Sequence, residues 1–209
     1  MKIKRINDYT DPRFSPEVLR QHGCFLIEDS AYAEKPYEVK IISCDSAVVC
    51  GENPDFFEKL IEEFRFYAPQ ITKFYSTDGS QLQLLPDVER IRVKLDDIQP
   101  SQFFVDSDKA DAIRGFIKCG DDIVIQILRR GDETISLDGH TRLYLACEMG
   151  FDSVLSVESE VDDCIFDFVA EAQRRGIFTP RDLILLPHDE YEVKWNAYCN
   201  EYFMKNTAQ

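Results

Sequence analysis

Basic residues are scarce in this chain and never run longer than the pairs Lys4-Arg5, Arg129-Arg130 and Arg174-Arg175. With 24 Lys and Arg against 39 Asp and Glu, the formal net charge is −15. Non-specific affinity for nucleic acid rests on phosphate neutralisation, so direct binding of DNA or RNA is not expected, although a local basic pocket stays open. Long apolar runs are missing too. The longest, such as ISLDG and DLILLP, are too short to cross a bilayer, and MKIKRINDYTDPRF holds no apolar stretch of the kind that directs export. The expectation is a cytoplasmic protein with no membrane partner. Nor is there a C-x-x-C pair. The seven cysteines, at 24, 44, 50, 119, 147, 164 and 199, are dispersed. That argues against a zinc ribbon or a thioredoxin-type motif and fits reduced thiols, most of them buried. Internal repeats and low-complexity tracts are also absent.

What is present divides into three stretches. Residues 1–88 read as a small α/β unit. PRFSPEVLRQHG predicts a short helix with Ser15 as N-cap, Pro16 at its first position and Gly23 closing it. YEVKIIS and SAVVCG read as strands, PDFFEKLIEEFRFYAP as a helix burying Phe56, Phe57, Leu60, Ile61 and Phe64, and ITKFYS with QLQLL as a hairpin turning at Asp78-Gly79. Residues 89–160 restart after Pro86-Asp87. RIRVKLDDI predicts a strand, and SDKADAIRGFIKCG a helix with Ala112, Ile113, Phe116 and Ile117 inward. DIVIQILRR and ETISL follow as strands, then the helix TRLYLACEMG, with Leu143, Ala146, Cys147 and Gly150 on one face, and the strand SVLSVES. The order is β-α-β-β-α-β. Residues 161–209 read as a helical extension: VDDCIFDFVAEAQRRG, TPRDLILLP with Thr179 as cap, and HDEYEVKWNAYCNEYF, whose Tyr191, Trp195 and Tyr198 form an aromatic stripe. Such a stripe is core or a subunit interface, the latter making a homodimer.

The stretch ISLDGHTRLYLACEMGF carries the chemistry, where a strand runs into a helix. A helix start exposes unpaired N–H groups and the positive end of the dipole, which suit an anionic oxygen. Gly139 lets a ligand approach the backbone, Arg142 can fork onto phosphate oxygens, Thr141 adds a hydroxyl and His140 can donate or act as acid or base. Asp138 can orient His140, pair with Arg142, or hold a magnesium ion that bridges phosphates. The plainer alternative is a capped turn in which Asp138 or Thr141 caps the helix. His22 and His188 read as surface or capping residues, Glu62-Glu63 and Asp162-Asp163 as solvated helix faces, and Asp189, Glu190 and Glu192 as first-turn acids.

The order RIRVKLDDIQPSQFFVD, helix, DIVIQIL, ETISLDGHTRLYLACEMGF, SVLSV resembles the ParB/sulfiredoxin-like superfamily domain over residues 90–160. The whole chain is similar to bacterial proteins loosely labelled ParB-like nucleases. The resemblance implies an α/β (α+β) fold built on that module and a nucleotide phosphate chain held by Gly139, His140, Thr141 and Arg142. The catalytic cysteine of sulfiredoxins is replaced by His140, which argues against sulfinic acid reduction. The G-E-R-R corner of partitioning ParB proteins is altered in its middle pair, and no helix-turn-helix follows. D-G-H-x-R is nearest the free-serine kinases of the superfamily, which phosphorylate a small hydroxy amino acid. Their glutamate is matched here by Gln102, with Asp106 and Asp108 as nearby acids that would position the acceptor. The implied function is a nucleotide-dependent small-molecule phosphotransferase or nucleotide hydrolase using ATP or ADP and Mg2+. His140 would bind or protonate a phosphoryl oxygen, and Asp138 would hold the metal or orient His140. A non-enzymatic protein-interaction module with the same fold is the alternative, and a ParB-like DNA-binding or nuclease protein ranks third.

Overall fold

The computed structural model describes residues 1–6, 8, 10–29, 32–115 and 117–206. The chain divides into two compact units, Met1–Arg90 and Ile91–Gln209, both mixed α/β.

The first unit holds one six-stranded sheet in sequence order. Its strands are β1 (Lys2–Arg5), β2 (Cys24–Asp29), β3 (Tyr32–Ile41), β4 (Ser46–Gly51), β5 (Lys73–Ser76) and β6 (Gln81–Leu84). Every neighbouring pair is antiparallel except β4 and β5, which run parallel because helix α2 (Phe57–Tyr67) carries the chain across between them. Phe57, Leu60, Ile61 and Phe64 of α2 are buried, as their helical spacing predicts, against Phe25, Val39, Val49 and Phe74 of the sheet. Helix α1 (Pro16–Arg20) starts on Ser15 with Pro16 at its first turn. It does not close on a left-handed Gly23: His22 takes φ +56 instead. Gly23 is required for another reason, since a Cβ there would lie 2.0 Å from the Val39 carbonyl oxygen. β1 and β2 are additions to the sequence reading. In β2, Phe25 and Ile27 face the α2 core, while Cys24 and Leu26 face a second cluster with Phe14, Val18 and Leu19. A strand buried on both faces shows no polar alternation.

The second unit is built on a five-stranded sheet in the order β7-β12-β10-β11-β8. The expected single strand over 90–98 is two strands: β7 (Ile91–Lys94) at one edge and β8 (Ile98–Pro100) at the other, joined by a 3-10 turn at Leu95–Asp97. β9 (Phe104–Asp106) then leads into helix α3 (Ser107–Arg114), which ends at Gly115, short of the predicted Gly120. Phe116, expected on its inward face, lies outside the described residues. β10 (Val124–Arg130) and β11 (Glu133–Ser136) form an antiparallel hairpin. Helix α4 (His140–Glu148) follows, and β12 (Ser153–Glu158) returns to pair parallel with β10 and antiparallel with β7.

The last stretch belongs to this unit. Helix α5 (Cys164–Arg174) buries Phe168 and Ala172. TPRDLILLP is not helical. Asp182 accepts hydrogen bonds from the Phe178 and Thr179 N–H groups at 3.1 and 2.8 Å, closing one 3-10 turn. Ile184–Leu186 then extends as β13, parallel to β9. Pro187 precedes helix α6 (His188–Tyr191), a π turn at Glu192–Asn196 and helix α7 (Ala197–Asn206). The aromatic stripe packs on the unit's own core. Trp195 and Tyr198 meet Phe103 edge-on at 4.9 and 5.2 Å, and Tyr191 is buried. Among the described residues, no helix is long and apolar enough to cross a membrane.

Candidate functional site

Leu137, Asp138 and Gly139 turn β11 into α4. Gly139 is the N-cap with φ +85, a left-handed conformation that glycine adopts without strain. A Cβ here would also press on Ile125 Cγ2 at 2.7 Å. Because glycine carries no side chain, the first turn of α4 receives no side-chain cap from it. Arg142 folds back over this glycine. Its Nη1 donates to the Val124 carbonyl at 2.6 Å, and Nη2 lies 3.7 Å from Asp138 Oδ2. Thr141 is half-buried, while the Asp138 carboxylate is exposed.

His140 points the other way. Its ring is buried beneath the loop that follows β8, where the Ser101 N–H donates to Nε2 at 3.3 Å. Ser136 Oγ lies 3.1 Å from the same nitrogen, and the Ser101 hydroxyl donates to the Ser136 carbonyl at 2.7 Å. With its one proton so used, the Ser101 hydroxyl cannot also donate to the ring. Nε2 is therefore an acceptor and Nδ1 carries the proton. Burial above all lowers the imidazole pKa to about 4, helped by the Arg142 charge and opposed by Asp138 and the Ser136 backbone. The expected roles of binding or protonating a phosphoryl oxygen do not fit this ring: it is neutral near pH 7, and its Nε2 already serves a buried backbone donor. Its part is to tie the 101–106 loop to the start of α4.

The acids expected to position an acceptor are also placed differently from one another. Asp106 is 1 % exposed with both oxygens engaged, Oδ1 accepting from the Asp108 N–H at 2.9 Å and Oδ2 lying 2.8 Å from His188 Nδ1. Asp108 is exposed on the first turn of α3. Asp106 is thus buried with a partner on each oxygen, whereas Asp108 is open to solvent. Gln102, which stands at the kinase glutamate position, donates through Nε2 to the Phe104 carbonyl and to Tyr191 Oη at 3.2 Å.

The residue that sequence reasoning passed over is His188. LILLPHDE carried no local signal for it, since only the pairing of β13 with β9 brings His188 to Asp106. The hydrogen bond to Asp106 above all raises the His188 pKa above its ordinary value, with Glu192 and Asp108 adding negative charge.

Among the described residues, no group of three or more His, Cys, Asp or Glu side chains converges to hold a metal ion. At the corner Asp138 offers a single carboxylate, which lies beside the Arg142 guanidinium. No protein-family model matches the chain, and no curated protein matches it. Among solved structures, the chain is similar to protein Atu1540 from Agrobacterium tumefaciens at 15 % identity and a TM-score of 0.34, over 46 % of this chain and 61 % of that one.

Proposed function

We propose that the second unit is a ParB/sulfiredoxin-like module that binds a nucleotide phosphate chain at residues 138–142 and transfers or hydrolyses a phosphoryl group. The observation that carries this reading is the left-handed Gly139 opening α4 with no side-chain cap over the first turn. Backbone N–H groups of His140, Thr141 and Arg142 supply the cradle, and the dipole of a nine-residue helix favours the anion. The Arg142 guanidinium exchanges its bond to the Val124 carbonyl for a charge-assisted pair with phosphate oxygens. Asp138 shares Mg2+ with the phosphates, which supplies charge neutralisation when bound. ATP and ADP are the first nucleotides to examine, with a small hydroxy compound as acceptor.

Calorimetric titration of ATP, ADP, CTP and GTP with MgCl2 into the wild type and Arg142→Ala tests the reading. Binding by the wild type that weakens at least about tenfold in the variant supports a phosphate corner, since loss of one charge-assisted hydrogen bond costs roughly 1.5–3 kcal/mol. No heat with any nucleotide refutes it. A second reading, a binding module without turnover, is favoured by one observation: the His140 ring and the Arg142 guanidinium are both partnered within the chain. Nucleotide binding with no phosphate release and no transfer selects that reading.

A further inference from the structure

His188 and Asp106 stand 82 residues apart in sequence and make a dyad with a half-exposed ring. Asp106 is fixed from two sides, by the N–H of Asp108 on one oxygen and by His188 Nδ1 on the other. A carboxylate on Nδ1 sets the tautomer: the proton sits on Nδ1, and Nε2 carries a lone pair directed away from Asp106. The His188 side chain is 48 % exposed, and Glu192 Oε1 lies 3.7 Å from Nε2, beyond hydrogen-bond reach. The loop between β8 and β9 joins the two places, since the Ser101 N–H donates to His140 Nε2 at 3.3 Å and Gln102 Nε2 donates to Tyr191 Oη at 3.2 Å. β9, which ends in Asp106, lies against both α4 and α6. Tyr191, one turn after His188, has its phenol pKa raised by burial first, then by Asp106 and in smaller measure by Asp138.

We propose that His188 is the catalytic base for phosphoryl transfer from a nucleotide at the corner, with Asp106 as its positioning residue and the hydroxyl of water or a small alcohol as the group it deprotonates. The inference rests on the phosphate-corner reading given above. With ATP, the acceptor oxygen forms the new bond to the γ-phosphorus, and its proton passes to His188 Nε2. The bond from that phosphorus to the bridging oxygen breaks, and its electron pair leaves on ADP. The charged groups that act on the ring are Asp106 on β9, Asp108 on α3 and Glu192 on its own helical segment. All three are acidic and raise the ring's pKa above its ordinary value, so the fraction of free base, and with it the rate, rises with pH through that region.

The test uses the full chain with ATP and MgCl2, as wild type, His188→Asn, Asp106→Asn and Arg142→Ala. Calorimetry reads binding. Phosphorus NMR reads inorganic phosphate in water alone, and phosphorylated alcohol when glycerol or L-serine is added, which separates the two acceptor sources. The expected result is that His188→Asn binds ATP as the wild type does, loses about a hundredfold or more in kcat, and loses the acid limb of its pH profile. Asp106→Asn moves that limb to lower pH, a change that a purely structural role would not produce. Nitrogen-detected NMR of the wild-type ring, which needs no turnover and no variant to fold, should show Nδ1 protonated and a pKa above the ordinary histidine value. A His188→Asn variant with wild-type rate and pH profile overturns the base assignment alone. So does a wild type that binds ATP but neither releases nor transfers phosphate, or a His188 ring protonated on Nε2 in its neutral form. Absence of ATP binding to the wild type fails the corner reading instead.

Discussion

The two units bury polar groups in different ways. Around α2 the first unit is aromatic and aliphatic, with Phe64 meeting Phe25 and Phe74 edge-on at 6.4 and 6.2 Å. Among the described residues, its buried polar side chains Ser46, Gln70 and Thr72 carry no charge. The second unit places an imidazole and a carboxylate, His140 and Asp106, inside. A buried titratable group costs stability unless each of its polar atoms is partnered, and here one segment, 101–106, supplies or receives the partners of both. The contrast separates a core that only has to pack from one arranged to hold particular protonation states. That difference is one reason why the proposed chemistry is placed in the second unit.

The largest effect expected on this contrast comes from breaking the apolar side of it. Phe64→Ala should cost about 3–5 kcal/mol by leaving a cavity between two rings and the sheet. Amide hydrogen exchange on β4 and β5 would show it as lost protection. The acid response of His140 should sharpen the comparison. Its folded pKa of about 4 is depressed below the ordinary value of 6.5, so the unfolded chain takes up the proton first. The contribution of His140 is therefore level above pH 6.5, falls as pH drops toward 4, and loses about 3 kcal/mol over that interval, while His188, whose pKa is raised, works the other way and contributes more at the acid end. Trp195 is the only tryptophan and lies in this unit, so urea transitions followed by its fluorescence at pH 7 and pH 4.5 measure the loss. In the first unit, Asp45 is held low chiefly by its hydrogen bond from Lys73, with Ser46 and Ser43 assisting. A depressed carboxylate loses its contribution only as pH falls below its unfolded value near 3.8, so that pair is silent in the same window.

Smaller effects follow. Gly139→Ala should destabilise by about 1–2 kcal/mol, from a left-handed backbone and the approach to Ile125, and should lower the urea midpoint read by Trp195. Lys194→Ala should leave that midpoint where it was. Its pair with Glu190 joins two side chains that are each 48 % exposed, and such pairs contribute little. A marked shift from this surface change would mean that the second unit depends on charges outside its buried groups.

Much of the fold could be read from periodicity wherever one face of an element meets water. α2, the β5–β6 hairpin, β10, β11, α4 and β12 are of this kind. β2 escaped because both of its faces are buried, and β13 because LILL after a capped turn has no period to separate strand from helix. The corner was legible as a place, since Asp-Gly before an apolar helix has few local solutions, yet the direction of each side chain was not. His140 turns inward because Ser101, 39 residues earlier, needs an acceptor there. Nothing near residue 140 in the sequence announces that requirement. His188 had the opposite difficulty. Alone it is an ordinary helix-start residue, and only the pairing of β13 with β9 brings it to Asp106.

That pairing also fixes when the second unit can be finished. Asp106 leaves the ribosome 82 residues before His188, and at roughly 5 to 20 residues per second the interval is about 4 to 16 s. During it, β9 has no strand neighbour and the Asp106 carboxylate no imidazole. The five-stranded sheet, complete by β12, can form first, with the His188–Asp106 pair closing onto it later in synthesis.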